Sequence, residues 1–254
     1  GCPDTSDLVQ GRTIHALLPR ADASLWIGSS RGLYRMHTGS PAGDIEPLGE
    51  RIGLPLGVVR ALTEMDDGSV WIVGDTGVWR YDEAGLRRLR DESAEGVLQD
   101  RHGAQWTITS AGTLLRHWRG QWQQLDARHG LDGRATGAMF EDREGLLWVG
   151  TTHGLFRIAD GPVSALGRHQ GLRNDYVRSV LQTDDGVVWI GHAEGQSRLR
   201  DGSIETLLPG PGETGSSVLS LAAARGGGVW AGSYDRGVLR FNADGTRGQV
   251  PGPG

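Results

Sequence analysis

Three residue types in this 254-residue chain could do chemistry: 31 carboxylates, 26 guanidinium groups and 8 imidazoles. The basic side chains are all Arg, since the sequence contains no Lys. Every positive site is therefore a planar, permanently charged fork suited to carboxylates and sugar oxygens. The imidazoles are His15, His37, His102, His117, His129, His153, His169 and His192. They form no i,i+4 pair and no His-Glu-x-x-His, and zinc wants three or four ligands. The single Cys, Cys2, excludes an internal disulfide and a Cys-based metal site. No metal and no cofactor are expected, and the His residues are read as surface residues. Ser/His/Asp catalysis finds no Gly-x-Ser-x-Gly elbow. Glycoside cleavage needs two acids at one mouth. Most acids here lie in Asp/Gly turns, with Glu194 and Asp235 as the exceptions.

The elements that position these groups are legible as a repeat. Gly is abundant, at 42 residues, and Trp reaches 9. There is no Gly-X-Y period, and a chain rich in Trp is not disordered. Six strings share one register: LWIGSSRGLYR, VWIVGDTGVWR, QWTITSAGTLLR, LWVGTTHGLFR, VWIGHAEGQSR and VWAGSYDRGVLR. Their tryptophans are Trp26, Trp71, Trp106, Trp148, Trp189 and Trp230. A Gly follows at Gly32, Gly77, Gly112, Gly154, Gly195 and Gly237, and an Arg at Arg35, Arg80, Arg116, Arg157, Arg198 and Arg240. Upstream of each Trp an apolar stretch meets a turn that is usually Asp/Gly, a hairpin signal. Each unit of about 41 residues reads as four antiparallel strands, and a four-stranded period of that size is the signature of a β-propeller. The expectation is an all-β fold of six blades, with seven as the alternative. One domain fills residues 1–247, and 248–254 form a linker-like tail. Trp fills the space between blades, and the Gly beside it lets the next sheet approach.

These residues resemble the two-component regulator propeller repeat. Its pattern runs from Gly-Leu and Asn through a Val-Arg strand and Asp-x-x-Gly to Leu-Trp-Ile-Gly-Thr. The fifth unit carries the fullest match, Gly171-Leu172-Arg173-Asn174-Asp175-Tyr176-Val177-Arg178, then Asp184, Gly186, Trp189, Ile190 and Gly191. The third unit departs from it at Thr107, Ile108 and Thr109, and the sixth at Arg225-Gly226-Gly227-Gly228, so those blades are candidates for distortion. The Asp66/Gly68/Trp71 and Asp184/Gly186/Trp189 strings partly resemble an Asp box, and are read as turn-makers. The resemblance implies an extracytoplasmic bacterial sensor whose membrane anchor and kinase or cyclase lie outside these residues. Cys2, directly after Gly1, stands where lipoproteins keep theirs; a stray Cys is the other reading. No apolar run approaches the ~18 residues of a membrane span.

In such a propeller, the connection into each inner strand and the Trp-to-Gly turn share one face. That face gathers His15, Arg31, Arg60, Arg134, His153, Asn174, Tyr176, Arg178, His192, Glu194, Tyr234 and Arg236. The mix suits a polar or acidic small ligand, because Arg forks grip carboxylates and Tyr stacks on a sugar face. A net charge of −5 and a pI near 5.9 argue against nucleic acid, which needs a basic face. The readings carried forward are a ligand-sensing propeller, a propeller lyase or hydrolase acting on a glycan, lactone or cyclic peptide, and a protein-interaction scaffold. Homodimerisation is left open.

Overall fold

A computed structural model of the chain describes residues 13–37, 45–126, 129–158, 164–207 and 215–248. Cys2, the Asp160-Gly161 turn and the tail beyond Gly248 lie outside them. The described residues form six four-stranded antiparallel sheets, each a simple meander. Blade 1 is β1 (Ile14–Pro19), β2 (Ser24–Ser29), β3 (Gly32–His37) and β4 (Ile45–Glu46). Blade 2 is β5 (Val59–Glu64), β6 (Val70–Gly74), β7 (Gly77–Asp82) and β8 (Gly85–Arg90). Blade 3 is β9 (Ala94–Gln99), β10 (Gln105–Thr109), β11 (Leu114–Trp118) and β12 (Gln121–Leu125). Blade 4 is β13 (Ala135–Glu141), β14 (Leu147–Thr151), β15 (Gly154–Ile158) and β16 (Ser164–Leu166). Blade 5 is β17 (Val177–Gln182), β18 (Val188–His192), β19 (Gly195–Arg200) and β20 (Ser203–Leu207). Blade 6 is β21 (Val218–Ala223), β22 (Val229–Ser233), β23 (Gly237–Phe241) and β24 (Arg247–Gly248). This is the expected six-bladed β-propeller repeat, and blade 3 keeps all four strands despite its irregular sequence.

The chain divides into two compact units. One comprises residues 1–110 and 115–123, the other 111–114 and 124–254. Within each, Trp and Gly do the stacking. Trp26 packs with Leu62, Val70 and Ile72 of blade 2, and Trp148 with Val177, Val188 and Ile190 of blade 5. In blades 1, 4 and 5 the glycine two residues after the Trp is where the next blade's inner strand sits. A Cβ built on Gly28 would lie 2.8 Å from Val59 Cγ1, on Gly150 2.8 Å from Val177 Cγ1, and on Gly191 2.7 Å from Val218 Cγ1.

In blades 1 to 5 the turn ahead of the Trp is held by a carboxylate, and in two of them that group also takes up the indole N–H. Asp142 Oδ1 accepts the Glu144 and Leu146 amides, while its Oδ2 accepts Trp148 Nε1 at 2.7 Å. Asp100 does the same for Trp106. In blades 2 and 5 the capping residue is the second Asp of the pair, Asp67 and Asp185, one place later than the Asp66 and Asp184 read from sequence. One element was not expected: a five-residue helix, α1 (Leu48–Ile52), follows blade 1 and ends at Gly53 in the left-handed region.

Replacing Gly150 by Ala forces apart atoms already in contact, since Val177 Cγ1 and Ala138 Cβ both lie under 3 Å from the new methyl. Urea denaturation is expected to show a loss of about 1–3 kcal/mol. Equal stability would mean that blades 4 and 5 do not pack through this glycine.

Candidate functional site

Each blade repeats one hydrogen bond at the entrance to its inner strand. The amide just past the second strand donates to the carbonyl just ahead of the inner strand: Ser30 to Thr13, Asp75 to Val58, Ser110 to Ser93, Thr152 to Arg134, Ala193 to Tyr176 and Tyr234 to Ser217. Each Trp-to-Gly turn is thereby fixed beside the residue that leads into its own blade. Inner strands also break register next to that point. The shifts fall between Ile14 and Ala16, Val59 and Ala61, Val177 and Ser179, and Val218 and Ser220. The extra residues are His15, Arg60, Arg178 and Leu219. A bulge bends the strand and re-aims one side chain, which gives these residues the same place at the start of their own blades.

The first unit holds three of the expected residues. His15 is exposed on β1, and Arg31 is exposed in the β2–β3 turn. Arg60 is engaged, 2.9 Å from Asp75 and 3.5 Å from Glu95. In the second unit, Arg134 Nε donates to the Ala111 carbonyl. His153 sits 3.3 Å from Asp132. The backbone amide of Arg236 donates to Ser233 Oγ, and Tyr234 is exposed.

The remaining five residues converge on blade 5. Asn174 Nδ2 donates to Glu194 Oε1 at 3.0 Å, and its Oδ1 caps the Tyr176 amide. Arg173 Nε lies 3.8 Å from the other Glu194 oxygen. The Arg178 guanidinium stacks over the Tyr176 ring at 4.5 Å, and both side chains are exposed. His192 corrects the surface reading, because it is fully buried.

Strand register shows how unusual blade 5 is. His192 stands where the other blades place Ser29, Gly74, Thr109, Thr151 and Ser233. At that position Ser29, Thr151 and Ser233 accept the turn amides of Arg31, His153 and Arg236. Gln196 takes the place of Leu33, Val78, Leu155 and Val238, and Ser197 that of Tyr34, Trp79, Phe156 and Leu239. Gln196 is 2% exposed and Ser197 fully buried. His192 shares a face with Ile190, which packs on Trp148 and Leu155 of blade 4. Its Nε2 meets Ser197 Oγ at 3.2 Å; Ser197 meets Thr206 Oγ1, which donates to the Gly171 carbonyl. Gln196 lies opposite Gly191, on the face that receives Val218 of blade 6. Among the described residues, its amide oxygen and nitrogen, His192 Nδ1 and Ser217 Oγ are all buried without a partner. Ser216 Oγ donates to Asp235 on the same side.

Burial drives the His192 imidazole down from its usual 6.5 to about 4, with Glu194 opposing and Arg173 assisting. It is therefore neutral at physiological pH. Sequence reasoning included His192 and Glu194 but missed Gln196 and Ser197. The signal was present as polar residues at apolar places in the repeat.

The two component regulator propeller model matches residues 130–153 and 171–194. Two stretches of the chain thus match the two-component regulator propeller repeat. Both matched stretches are the loops leading into blades 4 and 5 together with their first two strands and turn. No curated protein matches the chain in sequence. Among solved structures it is similar to the extracellular domain assigned to the hybrid two component system BT4673 of B. thetaiotaomicron. The TM-score is 0.79 at 19% identity, over 97% of this chain and 37% of that one. The extracellular domain assigned to BT3049 of the same organism gives 0.67 at 18%, over 92% and 39%. Virginiamycin B lyase from Staphylococcus aureus gives 0.71 at 14%, over 95% and 85%. The chain thus spans under two fifths of the two extracellular domains, and these likenesses are of fold.

Two measurements probe blade 5. The folded imidazole binds a proton less readily than the unfolded one, so protons favour unfolding between the two pKa values. Stability is expected to be full above pH 6.5 and to fall by up to ~3 kcal/mol as pH drops towards 4. In His192→Thr this part of the urea-midpoint profile should flatten; an unchanged slope would assign the loss to other groups. Gln196→Leu restores the repeat's residue and removes a stranded amide, so unfolding free energy should rise by about 1–2 kcal/mol. A fall would mean that Gln196 is satisfied in the protein.

Proposed function

We propose that this chain is the ligand-sensing propeller of a bacterial signalling protein, working outside the cytoplasm. Its ligand binds where the 173–178 loop meets the turn of blade 5. The observation that carries this reading is the buried polar set His192, Gln196 and Ser197, at positions that sister blades fill with Ser, Thr or Gly and with apolar residues. Unpaired buried polar atoms cost stability, and loops held on a rigid scaffold are where binding resides. The repeat's family and the extracellular neighbours support a sensor.

The ligand class follows from which groups are free. Arg60 and Arg173 are already held by carboxylates. Arg178, stacked on Tyr176, carries no ion pair among the described residues. An exposed ring beside an open fork suits a sugar ring bearing a carboxylate. Glu194, fixed by Asn174, accepts hydroxyls. Occupancy reaches the outer strand through His192, Ser197 and Thr206, a hydrogen-bonded path from the buried imidazole to β20. A partner docked on that edge reads the change.

The test is a thermal-shift titration with glucuronate, galacturonate, glucose and galactose. An acidic sugar is expected to raise the melting temperature, and Arg178→Gln should weaken that response about tenfold, in line with a charged hydrogen bond. Indifference to every sugar acid, together with capture of a protein partner by the same face, would favour a scaffold.

A further inference from the structure

Blade 1 carries a second feature that the blade 5 site does not use. A cavity of about 130 Å³ opens between the β2–β3 turn, α1 and the segment leading into blade 2. Buried Leu33 and Leu54 line it, with Pro47, Pro55 and Leu56 beside them. Leu56 is 79% exposed, an unusual place for a large apolar side chain. The wall is set locally: Gly53 closes α1 in a left-handed conformation, the Leu54 amide returns to the Gly49 carbonyl, and Gly49 packs on Leu33. Arg31 and Glu50 also line the cavity, and both are exposed. Neither side chain makes an ion pair or hydrogen bond among the described residues. Free charges of opposite sign thus border one small apolar hole.

We propose that this cavity binds an aliphatic amino acid, with its side chain inside, its carboxylate on Arg31 and its ammonium on Glu50. A cavity of 150 Å³ holds benzene, so about 130 Å³ accepts a branched four-carbon group such as that of leucine. Arg matches a carboxylate as a two-pronged donor, and Glu accepts from an ammonium. A dicarboxylate would meet Glu50 unfavourably, and a basic side chain would bury charge against Leu33 and Leu54. The inference goes beyond the blade 5 reading and lies in the other compact unit.

Calorimetric titration of the whole chain with L-leucine tests it, alongside L-leucinamide, which lacks the carboxylate, and N-acetyl-L-leucine, which lacks the ammonium. Saturable leucine binding is expected. It should weaken roughly tenfold or more in Arg31→Gln and in Glu50→Gln, the loss typical of a charged hydrogen bond. Leucinamide should be weak and indifferent to Arg31→Gln; N-acetyl-leucine should be weak and indifferent to Glu50→Gln. Circular dichroism should show both exposed-site variants folded. Glu194→Gln should leave leucine binding intact, which keeps this site separable from blade 5. No leucine binding at millimolar concentration, or binding unchanged in the folded Arg31→Gln chain, would overturn the proposal. Binding of N-acetyl-leucine as tight as leucine would do so too.

Discussion

In blades 1, 4 and 5 the packing rests on a missing side chain. The glycine two residues past the anchoring Trp leaves room for a valine from the next inner strand, as Gly28 does for Val59, Gly150 for Val177 and Gly191 for Val218. That close approach lets Trp26 and Trp148 reach the neighbouring sheet and close its apolar layer. Four short strands cannot bury their own faces, so each blade depends on the next. The same approach fixes the inner strand, whose bulge then aims one side chain at the mouth. Packing and display are thus consequences of one spacing.

Against so regular a scaffold, departures are informative. Blade 5 keeps Trp189, Gly191 and the turn, and so keeps the fold. It changes the layer just beneath the mouth, where a buried neutral imidazole, a stranded amide and a hydroxyl replace small or apolar residues. Isolated polar groups in a low-dielectric seam are costly. Their presence on both faces of one blade, under the Arg178–Tyr176 stack, ties local instability to the place where polar chemistry is exposed. The Ser197–Thr206 contact then links that layer to the outer strand.

Much of the fold was legible because it is periodic. The six Trp, the following Gly and the hairpin turns gave the blades and their strand order. The mouth residues could be aligned, but their common cause, the register shift at His15, Arg60 and Arg178, has no composition of its own. Which Asp caps a turn was misread by one place, since Asp66-Asp67 and Asp184-Asp185 offer two equivalent carboxylates and only geometry chooses. Burial of His192 was missed because a His beside a turn looks solvated until its strand partners are known. Gln196 could have been found by asking which residues break the apolar column of the repeat. The blade 1 cavity was not legible: α1 is too short to show helical periodicity, and it lies between repeats, where the register says nothing.

Hydrogen–deuterium exchange of the whole chain, with and without a saturating sugar acid, tests most directly whether blade 5 is the sensing element. Protection should concentrate in residues 171–197 and continue into β20, because ligand would fix the 173–178 loop and complete the buried polar layer beneath it. Protection spread evenly over all six repeats, or confined to blades 1 to 3, would contradict a sensing site on blade 5.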